Sequence, residues 1–478
     1  MRCVLIAVGS MLLATGCGSE NRAPKTGSAG IPLSISGNQT TTANVPEDTT
    51  KRTLSQYSDE VRQLLQKANA AVVAGQQGVA VEALSQAIGI SPDDSSLFRM
   101  RADVYCLQGE NANARVDFST AIRLAPNNAD GYNYRGYFLM SQGLSKEAIA
   151  DFEKAIQLNP SHAAALNNRG LMALTSQNYK SAEADFSKAI DGDRKFADAW
   201  NNRGFTRLKL KQYEPALSDL QQALRIQETY VAAWNNCGLV YMQQEKHEDA
   251  LKAFSRASEL EPMDMRWLGH RRAALLKLNR FAEAQKDGAK LAWLEQLNQL
   301  TQQASRNANN PAAWIVRGKH LMNGSQYGAA IQDFTRALIV NPGNTDALTG
   351  RASAWMATGD LQKAMLDCDE SIVLRSSQEA YFIRGDLWMR LENFDNAISD
   401  FETAGRFDEQ VAVAYEKRAD DRREAGQAEA AITDLQRAQE IRSAMIDRED
   451  SSKPPQSADG FDPGPEDGAS RNQVQMQP

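Results

Sequence analysis

This 478-residue chain has no block of like charge, no histidine pair at ligand spacing and no apolar stretch long enough to span a bilayer. Lys and Arg number 53 against 60 Asp and Glu, a formal charge of -7. A protein that grips phosphates needs a basic face, so nucleic acid is not the expected partner. Outside the first twenty residues the cysteines are Cys106, Cys237 and Cys368, odd in number and far apart, which excludes a disulfide framework. The four histidines, His162, His247, His270 and His320, are scattered, so no metal site is expected. No nucleophile with a base, phosphate-cradling loop or metal cluster is readable, so neither an enzyme nor a cofactor is expected. The length exceeds what one ordinary core supports, which leaves several domains or one repeating array.

The opening MRCVLIAVGSMLLATGC sets one Arg before a short apolar run and then small residues, the layout of a secretory signal. Its ending, LATGC, resembles a bacterial lipobox, although Ala14 stands where Leu is usual and Leu13 comes one place early. The resemblance implies a diacylglyceryl thioether on Cys17 and anchoring to an envelope membrane, with ordinary cleavage near Gly16 as the other reading. Gly18 is not the Asp associated with inner-membrane retention, which points to the outer membrane if the host is Gram-negative. Residues rich in Ser, Gly, Thr, Asn and Pro follow, suited to a tether.

Aligned on itself at a period of 34, the chain brings the same residue types into register. Copies beginning at 129, 163, 197, 231 and 311 carry a large residue at the fourth position and Gly at the eighth (Gly136, Gly170, Gly204, Gly238, Gly318). Ala recurs at the twentieth and twenty-seventh, and Pro closes several copies. Gly also recurs at the turn, at Gly75, Gly109, Gly143, Gly359 and Gly426. This pattern resembles the tetratricopeptide repeat (TPR), with about eleven copies between residues 61 and 445. The resemblance implies an all-α, right-handed superhelical solenoid of helix-turn-helix repeats. The expected organisation is a signal peptide at 1–16, a flexible tether at 17–53 and an array of about seven repeats at 61–298. A joint or helix extension at 299–310, a second array of about four repeats at 311–445 and a disordered tail at 450–478 complete it.

Two positions co-vary along the array. Arg at the seventh pairs with Asp at the twenty-third in Arg101 and Asp117, Arg135 and Asp151, Arg169 and Asp185, Arg203 and Asp219, and Arg317 and Asp333. Four further copies do the same, while Lys67 and Cys237, the two non-Arg residues, both face Ala. Stranding one charge of a buried pair costs about 3–5 kcal/mol, whereas replacing both partners is often nearly neutral. A partly buried bridge inside each repeat is therefore expected, with Cys237 and Ala253 as its apolar substitute.

For function, the resemblance implies first helices lining a concave groove that takes extended peptides or partner helices. The amides there are Asn133, Asn167, Asn201 and Asn235 at the fifth position and Asn168, Asn202 and Asn236 at the sixth. A row of amides, donor and acceptor together, suits a peptide backbone; solvated helix residues are the competing reading. Apolar residues between them, Tyr137, Met140, Leu171, Leu174, Phe205, Leu208, Leu239 and Met242, suit either side-chain pockets or packing between repeats. The expected function is a non-catalytic protein–protein interaction scaffold of the cell envelope. An accessory subunit that recruits an envelope enzyme, active only in complex, is the alternative. The partners are then a protein or peptide, and a membrane through the N-terminal lipid.

Overall fold

The computed structural model describes residues 57–451, all helix, turn and loop without a strand. The signal peptide, Cys17, the tether and the tail beyond Ser451 lie outside the described residues. The twenty-two helices form eleven hairpins, each a first and a second helix. They are α1 (Asp59–Val73) with α2 (Gln77–Ile90), α3 (Ser95–Gln108) with α4 (Asn111–Leu124), and α5 (Ala129–Ser141) with α6 (Ser145–Leu158). Next come α7 (Ala163–Thr175) with α8 (Tyr179–Gly192), α9 (Ala197–Lys209) with α10 (Tyr213–Ile226), and α11 (Val231–Gln243) with α12 (His247–Leu260). Then α13 (Met265–Lys277) is followed by α14 (Phe281–Arg306), and α15 (Pro311–Asn323) by α16 (Tyr327–Val340). The last three are α17 (Thr345–Thr358) with α18 (Leu361–Leu374), α19 (Gln378–Arg390) with α20 (Phe394–Thr403), and α21 (Glu409–Glu424) with α22 (Ala428–Ser451).

The described residues divide into two compact units that part between Leu294 and Glu295, each a run of stacked hairpins. The division falls inside α14, a continuous 26-residue helix that takes up most of the extra stretch before Pro311. The segment expected as a joint or helix extension is thus helix as far as Arg306.

Small residues set how closely each hairpin closes. A Cβ added at Gly136, Gly170 or Gly318 would sit 2.7–2.8 Å from the ring of Phe152, Phe186 or Phe334, so the second helix seats its aromatic ring directly on glycine backbone. Ala148, Ala155, Ala182, Ala189, Ala330 and Ala337 are fully buried beside these contacts. The turn residue at the fifteenth position is left-handed in every hairpin. Five are the glycines named above, and the other six are Gln177, Lys211, Glu245, Asn279, Ser325 and Glu392, with φ of 57–61°. Repeat ends are capped locally: Asp94, Asn128, Asp264, Asn310 and Asn344 each accept a backbone N–H from the first turn of the following helix.

Candidate functional site

The arginine–aspartate bridges form inside each of nine hairpins. Arg101 donates Nε and Nη2 to the two carboxylate oxygens of Asp117 at 2.7 and 2.9 Å, and Arg135 meets Asp151 at 2.8 Å twice. The same fork joins Arg169 to Asp185, Arg203 to Asp219 and Arg317 to Asp333. It recurs at Arg271 with Asp287, Arg351 with Asp367, Arg384 with Asp400 and Arg418 with Asp434. The hydrogen bonds to Asp117, Asp151 and Asp185 push the pKa of Arg101, Arg135 and Arg169 above the usual guanidinium value. Planar bidentate geometry with a buried carboxylate makes these nine pairs structural.

Five of the nine forks have a third arm that sequence reasoning missed. Arg101 Nη1 donates to Ser85, Arg135 to Ser119, Arg203 to Ser187 and Arg351 to Thr335, all on the second helix of the preceding hairpin. The bridge therefore also ties neighbouring repeats together. Its signal was the Ser or Thr recurring two residues after the aspartate position. Arg317 reaches Thr301 in the same way, so the added turns of α14 supply the partner a preceding repeat would give.

The asparagines are not arranged as a groove-lining row. All seven, Asn133, Asn167, Asn168, Asn201, Asn202, Asn235 and Asn236, are 0–1 % exposed. They pair between neighbouring first helices: Asn168 Nδ2 donates to Asn133 Oδ1 at 3.0 Å, Asn202 to Asn167 at 3.0 Å and Asn236 to Asn201 at 2.9 Å. Asn201 Nδ2 also donates to Asn202 Oδ1 at 3.2 Å. The row closes at His270, whose Nδ1 lies 2.6 Å from Asn235 Oδ1 and so carries the proton. Burial and the nearby Arg266 lower the pKa of this imidazole, keeping it neutral. Both expectations, open groove and solvated surface, fail for one reason. The sixth position of one repeat meets the fifth of the repeat before it, 35 residues earlier in sequence, so the amides bond pairwise between repeats rather than to water or a ligand. The carbonyls of Asn168 and Asn236 and the Nδ2 of Asn235 stay buried without a partner.

The apolar candidates split. Leu171, Leu174, Phe205 and Leu208 are buried in the packing between repeats, whereas Tyr137, Met140, Leu239 and Met242 remain half-buried. Cys237 is buried in the same core as Ala253, and burial pushes its thiol pKa up to about 12, which leaves it an unreactive packing group. Among the described residues no group of three or more His, Cys, Asp and Glu could hold a metal ion, and no helix is long and apolar enough to cross a membrane.

Stacked hairpins of this length and internal wiring define an all-helical repeat array. Tetratricopeptide repeats are matched over part of it: family models described as "Tetratricopeptide repeat" match residues 129–162, 197–230, 231–264 and 315–378, and one described as "TPR repeat" matches 102–143. Among characterised proteins, the chain is similar to the DnaJ homolog subfamily C member 7 homolog of Dictyostelium discoideum. The two are 28 % identical over 96 residues, a stretch that is 19 % of this chain and 18 % of that one. Among solved structures, PilW, a type IV pilus biogenesis factor, is 18 % identical with a TM-score of 0.39, the match covering 44 % of this chain and 98 % of PilW. YrrB, described as a TPR protein with an unusual peptide-binding site, is 22 % identical with a TM-score of 0.33, covering 40 % of this chain and all of YrrB. MamA is 22 % identical with a TM-score of 0.31, covering 34 % and 94 %.

Proposed function

We propose that this chain is a non-catalytic protein–protein interaction scaffold of a bacterial cell envelope, anchored by lipid on Cys17. It engages a protein or peptide partner along the first helices of residues 129–264. The observation that carries this reading is how the polar groups are used. The fork arginines and aspartates and most of the asparagine amides of this stretch are engaged in bonds within and between repeats. Among the groups left half-buried on these helices are Tyr137, Met140, Leu239 and Met242, the last three seated in part against the core. Amphipathic and aromatic groups on a fixed frame suit a partner's apolar side chains, because little ordering entropy is lost on binding.

Photo-crosslinking in the native envelope tests the face. A crosslinking residue at Tyr137 or Met242 is expected to give a discrete adduct, and one at the exposed Lys188 of α8 none. Adducts at Lys188 alone would move the partner to the second-helix face. Fatty-acid labelling of the parent, lost in Cys17→Ser, tests the anchor, and an unlabelled parent would leave an exported protein without a lipid.

A further inference from the structure

The second helices of ten hairpins present a common outer stripe at positions 22, 26 and 29, spaced as i, i+4 and i+7 on one helix face. Along the 129–264 repeats the stripe is small or polar: Ala150, Lys154 and Gln157 on α6, Ala184, Lys188 and Asp191 on α8, and Lys252, Arg256 and Glu259 on α12. On α16 and α18 it changes character. Ile339 is 76 % exposed and Val373, its equivalent one repeat on, 86 %. Leu366 is 67 % exposed on the same stripe, and Val340 and Leu374 flank it at 40 % and 51 %. Five large aliphatic side chains concentrated on consecutive second helices exceed the single scattered apolar residues of an ordinary surface.

We propose that this patch is a self-association surface, on which two copies of the chain pack with α16 of one against α18 of the other. The argument for a second copy is charge and register. Position 26 is Arg336 on α16 and Glu370 on α18, both exposed, one turn before Ile339 and Val373 respectively. A stacked repeat of fixed period sets equivalent positions of consecutive repeats at similar heights along their helices. A two-fold axis running parallel to the helices, midway between α16 and α18, therefore brings Arg336 of each copy opposite Glu370 of the other. The same operation sets Ile339 opposite Val373 and Val340 opposite Leu374. An isologous interface requires such self-complementarity, and here the two halves of one patch supply it. Arg336 is also positioned by its neighbour, its guanidinium lying 4.8 Å from the centre of the Trp314 ring. This surface is independent of the first-helix partner face, and either is free to fail without the other.

Sedimentation velocity on the full-length chain, over a dilution series starting in the high micromolar range, tests the proposal. A dimer whose share rises with concentration is expected, and Val373→Asp should sediment as a monomer with an unchanged circular dichroism spectrum. Arg336→Glu should weaken the dimer at least about tenfold, and adding Glu370→Arg should restore it, since the swap re-forms both ion pairs. A parent that is monomeric throughout would overturn the proposal. So would a dimer unaffected by Val373→Asp, or a double charge swap no tighter than the single one.

Discussion

Two stretches of the array solve the same packing problem with different chemistry. Between the first helices of residues 129–264 the seam is a run of buried amides. At the same positions in the later repeats stand Ile315, the exposed Val316, Thr349, Gly350, Phe382 and Ile383, and at Gly350 the seam closes by shape: a Cβ there would fall 2.6 Å from the Phe334 ring. Hydrogen bonds are directional and costly to break when buried, so the amide seam specifies the register of one repeat on the next. The apolar seam needs volume alone, which mutation can vary more freely. What the two stretches share is the arginine fork, and it is the element whose loss should hurt most.

Arg317→Ala would strand Asp333, whose two carboxylate oxygens accept from that arginine, at a cost of about 3–5 kcal/mol. Arg203→Ala should cost less, because Arg207 Nη1 also reaches Asp219 at 2.8 Å. The double change Arg317→Ala with Asp333→Ala should recover much of the loss, following the Cys237 and Ala253 pair. Urea unfolding of the four proteins checks this, and equal losses for Arg317→Ala and the double change would remove the bridge from the account.

A smaller effect of opposite sign is expected at the turns. Glu245 holds a left-handed backbone at φ 60°, where a side chain costs about 1–2 kcal/mol. Glu245→Gly should therefore stabilise by about 1 kcal/mol, offset in part by unfolded-chain entropy, while Gly359→Ala, at φ 88°, should destabilise by about as much. Thermal unfolding distinguishes the two signs.

The last effect is confined to alkaline pH. The Cys237 thiol titrates from about 12 in the fold against an ordinary 9.0. The unfolded chain then releases its proton first, so this group's contribution is complete below pH 9 and declines as pH rises toward 12, by at most about 1.4 kcal/mol per pH unit. Cys237→Ala should lose less stability than the parent over that interval, measured by urea midpoints at successive pH values.

The periodicity made the hairpins legible, since Gly, Ala and the large fourth-position residue repeat with helical packing. The fork was legible because the loss of Arg at Cys237 coincides with the loss of Asp at Ala253. Its third arm was hidden, because Ser85 or Thr335 belongs to the preceding repeat and an alignment compares equivalents rather than neighbours. The asparagines misled for a related reason. Position within one repeat says which helix face an amide occupies, but only the stacking angle between repeats decides whether that face meets water or the next amide. The left-handed turns at Gln177, Lys211 and Glu392 were invisible to a search for glycine.

The claim that the asparagines join repeats is tested most directly by hydrogen exchange on the parent and Asn236→Ala. The change leaves the buried Asn201 carbonyl without its 2.9 Å donor, a cost of about 1–3 kcal/mol. The account predicts that backbone exchange in α9 and α11 rises roughly tenfold for each 1.4 kcal/mol lost, with α15 to α20 unchanged. Exchange in α9 and α11 equal to that of the parent would contradict it and return the amides to the surface.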